Sequence, residues 1–266
     1  IEVDNQTVTS RLTDYMGYVT EPYMYYLTKG QNIISFSSIK EYMLIEEVRI
    51  VSVEEADSYE EYLKDYTAEL AEQKNILNNK YAIDSVYGGG EVTLKDYSYR
   101  VEAEAPIYTS SPTLYPITDR TSSNTYPYSP STTKLNSIGG DSWKVLGDWI
   151  VWELYVPADG FYNISFRARQ NLVRGMFSQR KVYIDGEIPF KELERTVFSF
   201  SSDWQNITLG NSETGKPFDI YLTKGVHQIK MEVTLGSYGE LVEELEDVIG
   251  DLNSLYLDII KYTTAS

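Results

Sequence analysis

Between residues 91 and about 235 apolar and polar positions alternate over short runs separated by turn residues, the period of strands with one buried face. Near the end of this stretch Ile229, Met231 and Val233 fall on one phase, Lys230 and Glu232 on the other. The pattern predicts an all-β sandwich. Helical spacing takes over in two places. Over 58–75, Tyr59, Tyr62, Leu63, Tyr66 and Leu70 recur on one face, and Ser58 with Glu61 makes a capping-box signature. Over 239–262, Leu241, Leu245, Val248, Leu252, Leu255 and Ile259 form an apolar stripe. The acids Glu240, Glu243, Glu244, Glu246 and Asp247 gather toward the start of that stretch, where the helix dipole favours them. Gly88-Gly89-Gly90 marks a break. Prolines at 106, 112, 116, 127 and 130 argue against a long strand or helix in 108–140. Tyr108, Tyr115, Tyr126 and Tyr128 favour an ordered loop there, folded over a surface.

Two segments echo each other. Residues 22–36 and 217–231 each place Tyr-Leu-Thr-Lys-Gly at the same distance from a proline, and strand-like pieces precede both, at 1–6 and 182–187. Such internal repeats report architecture. The expected unit is a strand, a tight Lys-Gly turn and a second strand. Residues 1–57 then read as the C-terminal half of a second sandwich. Half a sandwich exposes its inner face at roughly 25 cal/mol per Å² of apolar area. This piece is therefore expected to pack on the second domain, or the natural protein to continue upstream; a shorter independent sheet is the alternative. The expected organisation is a partial sandwich over 1–57, a helical linker over 58–90, the main β domain over 91–238 and a C-terminal helix over 239–266.

Composition narrows the chemistry. The 266 residues carry 23 Lys+Arg against 40 Asp+Glu, a net charge of −17, with no cysteine and a single histidine, His227. The acidic balance disfavours nucleic acid, which requires clustered cations to displace counterions. Absence of cysteine excludes disulfides, thiolate zinc sites and a cysteine nucleophile. No run approaches the ~20 apolar residues of a membrane span. The chain opens on Ile1 with no signal peptide, as a mature or excised segment would, and abundant Tyr, Thr and Ser without Cys suits a secreted or surface-attached bacterial protein.

Several motifs in sequence order carry a resemblance. They are Val101-Glu102-Ala103-Glu104, then Gly147-Asp148-Trp149 leading to Val156-Pro157-Ala158-Asp159-Gly160-Phe161-Tyr162, then Phe166-Arg167-Ala168-Arg169 and Val182-Tyr183-Ile184-Asp185-Gly186. Trp204 follows, and finally Leu222-Thr223-Lys224-Gly225 with Ile229. Over residues 99–262 this order resembles carbohydrate-binding modules of families 6 and 35. The longer layout is similar to β-sandwich regions fused to bacterial extracellular solute-binding proteins of sugar ABC transporters. The resemblance implies a mainly β, galactose-binding-like jelly roll, here with a partial second sandwich and two helices. It implies a structural calcium ion, with Glu102 and Glu104 on the opening strand and Asp258, in Leu257-Asp258-Ile259-Ile260, as candidate ligands. The period around Asp258 is itself helical, and the two glutamates read equally as solvated edge residues.

For sugar contact the candidates are aromatic rings, which stack on C–H faces, and planar polar groups, which bond hydroxyls. Trp143, in a loop, leads. Trp149 and Trp152 differ by three positions and so face opposite sides of a strand, with one of them in the core. Tyr115, Tyr126, Arg169, Gln170 and Asn171 complete the set; Arg169 and Arg174 suit a carboxylate as well. For each aromatic the competing reading is core packing, and for 169–174 a solvated loop. His227 reads as a packed strand residue. No nucleophile elbow, Walker loop or dinucleotide fingerprint occurs. The expected function is non-catalytic, extracellular carbohydrate binding. The alternatives are a structural spacer without a ligand and, more remotely, a glycoside-active enzyme.

Overall fold

The computed structural model describes residues 25–36, 48, 50, 56–172 and 174–263. Helices α1 (Tyr59–Asp65) and α2 (Thr67–Ile76) lead into a small ladder of β1 (Lys80–Ala82) with β2 (Glu91–Thr93). Two-residue strands follow, β3 (Tyr108–Thr109) and β4 (Pro116–Ile117), the second paired with β5 (Ser137–Ile138). The remaining strands are β6 (Trp149–Val156), β7 (Gly160–Tyr162), β8 (Ser165–Ala168), β9 (Phe177–Ile184), β10 (Thr196–Ser199), β11 (Gln205–Thr208), β12 (Ile220–Leu222) and β13 (Gly225–Thr234). A long helix, α3 (Ser237–Thr263), comes last.

The strands build two antiparallel layers, as the alternation predicted. One is a five-stranded sheet in the order β10-β9-β13-β6-β3. The other combines the pairs β7–β12 and β8–β11, bridged where Leu209 donates to the Ile164 carbonyl and Phe218 to the Leu209 carbonyl. Ile150, Trp152, Val182, Ile184, Ile229 and Met231 from the first layer meet Ile164, Leu209, Phe218, Ile220 and Leu222 from the second. Lys230 and Glu232 lie on the outer face of β13. At roughly 25 cal/mol per Å² of apolar area removed from water, this interlayer cluster is the dominant stabilising feature.

Two local readings change. The Lys224-Gly225 turn and the Pro157–Asp159 turn do not close hairpins. Each is an arch that carries the chain from one layer to the other, because β12 pairs with β7 and β13 with β6. Residues 101–104, expected as an opening strand, form a turn closed by the Ala105 N–H on the Glu102 carbonyl. Of the partial sandwich over 1–57 most lies outside the described residues. Within 25–36 the chain bends at Lys29-Gly30, with Asn32 Nδ2 donating to the Thr28 and Gly30 carbonyls, and holds no strand.

The 58–90 stretch is more than a linker. The capping box at Ser58 and Glu61 forms as expected, and the helix breaks at Tyr66 into α1 and α2. Its tyrosines serve the second layer. The hydroxyls of Tyr59 and Tyr62 accept from the backbone N–H groups of Asp219 and Tyr221, alternate positions along the β12 edge. The amide of Gln73 accepts from the Phe161 N–H at 3.0 Å and donates to its carbonyl at 3.2 Å. A helix thus supplies hydrogen bonds that a neighbouring strand would otherwise provide, which protects a sheet edge. The rings of Tyr59, Tyr62, Phe190 and Phe218 pack at 4.6–5.1 Å between centroids.

Candidate functional site

A cleft of about 270 Å³ opens at one edge of the second layer, lined by Thr121, Ser122, Asn124, Arg167, Arg169, Ser202, Asp203 and Trp204. Three chain segments meet there. Strand β8 alternates, with Phe166 and Ala168 packed on the core. Arg167 and Arg169 fall on the opposite phase and so share the cleft side. The turn before β11 brings Asp203 and Trp204, shaped by Ser201, whose N–H donates to the Gln170 carbonyl and whose hydroxyl accepts from the Asp203 N–H. The third segment is the loop between β4 and β5.

That loop is ordered by a polar staple. Asn136 Oδ1 accepts from the Asp119 N–H at 2.7 Å, and its Nδ2 donates to the carbonyls of Asp119 and Pro127. The Asp119 carboxylate accepts from both the backbone N–H and the hydroxyl of Thr121. Arg169 then clamps the loop to β8: Nη2 meets Asp119 Oδ2 and Nη1 donates to Thr121 Oγ1, both at 2.6 Å. Burial alone pushes the Asp119 carboxyl up. The Thr121 hydrogen bonds and the Arg169 charge outweigh it and hold the group below its usual value. The Arg169 guanidinium also lies 5.1 Å from the centre of the Trp204 ring. Arg169 is therefore a positioning residue whose donors are engaged within the protein. Arg167, bonded once to Asn206 Oδ1 at 3.2 Å and exposed, is the freer cation.

The other expected site residues scatter. Trp143 is packed, not displayed: its ring meets Trp152 edge-on at 6.2 Å, its N–H donates to the Asp148 carbonyl, and the Arg180 guanidinium covers it at 4.5 Å. Burial pushes Arg180 down to about 10. Trp149 sits half-buried on the outer face of the five-stranded sheet, opposite Glu232 and 6.0 Å from Lys230 Nζ. Tyr115 and Tyr126 are exposed, the latter under the Arg100 guanidinium at 4.4 Å. Gln170 bridges to Phe200, and its Oε1 is sealed from solvent without a hydrogen bond; Asn171 is exposed in the next loop. His227 is buried, its two ring nitrogens set on Asp185 Oδ2 and the Thr223 carbonyl.

The calcium ligands do not assemble. Glu102 pairs with Arg100 at 3.0 Å in the turn, and Asp258 lies on α3 paired with Lys261 at 2.9 Å. Glu104 is raised, by burial and by the neighbouring Glu102 charge, which the Glu104 backbone N–H and Arg100 offset in part. Among the described residues no three Asp, Glu, His or Cys side chains converge on a point that would hold a metal. The donor set does not fit the six to eight oxygens calcium takes.

The cleft is polar, with one indole, one exposed guanidinium, an amide, hydroxyls and one carboxylate, Asp203. Such a set can bond vicinal hydroxyls and stack on a C–H face. Asp203 is the single carboxylate among the residues that line the cleft. Sequence reading missed Thr121, Ser122, Asn124, Arg167, Ser202 and Asp203. The i, i+2 spacing of Arg167 and Arg169 on one strand phase was the signal available.

No family model matches the chain, and no curated protein does. Among solved structures, the cycloisomaltooligosaccharide glucanotransferase of Paenibacillus sp., crystallised with cycloisomaltoheptaose, is similar in part. It aligns at 23% identity over 68% of this chain and 21% of its own length, with a TM-score of 0.37. Among the described residues no helix is long and apolar enough to cross a membrane.

Proposed function

We propose that the sandwich is a non-catalytic carbohydrate-binding module acting outside a bacterial cell, on a polypeptide that carries further domains such as the receptor of a sugar transporter. The observation that supports it best is the cleft in which Trp204 is flanked by Arg167, Asn124, Ser122 and Asp203. An aromatic face beside outward-facing hydrogen-bonding groups suits an oligosaccharide, which offers apolar C–H patches and paired hydroxyls. The motif order quoted above supports the same reading. Affinity electrophoresis through gels containing soluble polysaccharides tests it. Retardation on at least one gel, abolished by Trp204→Ala and weakened by Arg167→Ala, is expected. No retardation on any glucan, galactan, mannan, xylan or uronan overturns the proposal in favour of a spacer.

A further inference from the structure

We infer that the solvent face of α3 is a docking seam for an α-helix of another polypeptide, one that carries an apolar heptad stripe flanked by Lys and Arg. Leu241, Leu245, Val248, Leu252 and Leu255 follow one another at spacings of 4, 3, 4 and 3. That is a period of 3.5, the a/d pattern of a coiled-coil seam, and Ile259 continues it in sequence. These five side chains are 51–59% exposed, and Ile249 and Tyr256 beside them are 55% and 62% exposed. The helix is fixed to the sandwich at its root, where Tyr238 stacks on Phe177 at 4.8 Å. Beyond the root the seam runs about 21 Å at about 1.5 Å per residue. Gly250 sits within the helix with nothing near a Cβ placed there, an open position where glycine disfavours the helix. Most helical stability derives from packing an amphipathic face, and the five residues of this seam are each more than half exposed.

Charge selects the occupant. The helix carries Glu240, Glu243, Glu244, Glu246, Asp247, Asp251 and Asp258 against Lys261, in a chain of net charge −17. Glu244, Asp251 and Asp258 fall immediately before Leu245, Leu252 and Ile259, the g positions that border the seam. An antiparallel second copy would set these acids against each other, and a parallel one would set them against Ile249 and Tyr256. A partner with Lys or Arg at its bordering positions meets them with opposite charge, which sets partner choice in coiled coils.

Two synthetic peptides of about four heptads test the seam, both with Leu at a and d, one with Lys and one with Glu at e and g. Fluorescence anisotropy follows their binding to the full chain. The Lys peptide is expected to bind at least about tenfold more tightly than the Glu peptide, and to weaken as salt rises from about 0.1 M to about 1 M. Leu252→Asp is expected to reduce affinity about tenfold or more with an unchanged melting temperature. This variant adds negative charge, so its loss reports the apolar seam and not general attraction. Failure of the Lys peptide to bind, equal binding of both peptides, or undiminished binding by Leu252→Asp each overturns the proposal. So does a dimer of the chain alone that Leu252→Asp converts to monomer, since the occupant is then a second copy.

Discussion

The side chain of Asp159 accepts a hydrogen bond of 2.6 Å from the backbone N–H of Lys224. Asp159 lies in the arch from β6 to β7 and Lys224 in the arch from β12 to β13. Because β6 pairs with β13 in one layer and β7 with β12 in the other, both arches cross at the same end, with Val156 opposite Gly225 and Gly160 opposite Leu222. Two motifs 65 residues apart in sequence are one device that sets the spacing of the layers. Gly225, at φ +141°, takes a backbone conformation that side chains rarely adopt, which explains its place at the end of the second arch.

Asp159→Ala removes this acceptor and leaves the Lys224 N–H to water. The bond is exposed, so the expected loss is about 1 kcal/mol in urea unfolding, without change in the denaturant slope. Asp159→Asn keeps an oxygen acceptor and is expected to recover most of the loss. Equal losses for the two variants would show that charge and not the hydrogen bond matters there.

Tyr62→Phe tests the helix-to-edge contact. The ring remains against Phe190 and Tyr66, but the Tyr221 N–H loses its acceptor in a part-buried setting. A loss of about 1–3 kcal/mol is expected. Phe190→Ala, at a fully buried position among three aromatic rings, is expected to cost more, about 3–5 kcal/mol. A neutral Tyr62→Phe would mean that the hydroxyl contributes nothing to edge protection.

Tyr62, Tyr97 and Tyr162 make the domain sensitive to alkali. Burial raises Tyr62 to about 12, with the Tyr221 N–H opposing it, and raises Tyr97 to about 12; Tyr162 is raised as well. Tyr97 donates to the Tyr155 carbonyl and Tyr162 to the Ala158 carbonyl, bonds that need the neutral phenol. The folded state therefore retains protons that the unfolded chain releases near pH ~10. Stability is full below pH ~10 and falls as pH rises toward ~12. Urea midpoints measured across that window should drop progressively, and less steeply in Tyr62→Phe. A flat profile would contradict the burial of these hydroxyls.

What the sequence disclosed was local. The capping box needs only Ser58 and Glu61, three residues apart, and the inward phase of Ile229, Met231 and Val233 needs only period 2. Pairing partners were not local. Nothing in Val156–Tyr162 distinguishes a hairpin from an arch, because its proline and glycine fit either kind of turn, and the choice is made by β13 and β12 far downstream. The site was illegible for the same reason. Arg169 was visible as a cation after a strand, but its partner Asp119 is 50 residues away, and Trp143 was taken from exposure to packing by Trp152 and Arg180.

The Asp119–Arg169 pair offers the sharpest test of how the cleft is built. Neither Asp119 nor Asn136 lines the cleft, yet Asp119 fixes both Thr121 and Arg169, which do. In Asp119→Asn one oxygen becomes an amide that opposes the Arg169 donors, so the clamp on the loop opens. Polysaccharide retention is expected to weaken about tenfold, the equivalent of about 1.4 kcal/mol, while the melting temperature moves little. Because the folded-state carboxyl is held below its usual value, the pair stabilises the protein fully above the ordinary carboxylate pKa of about 4. That contribution is lost as pH falls through the lower folded value. Acid titration of stability should therefore show a step below pH ~4 in the natural chain and a smaller one in Asp119→Asn. If the variant retains sugar as well as the natural chain does, the clamp has no part in shaping the cleft, and Arg169 reverts to a structural ion pair alone.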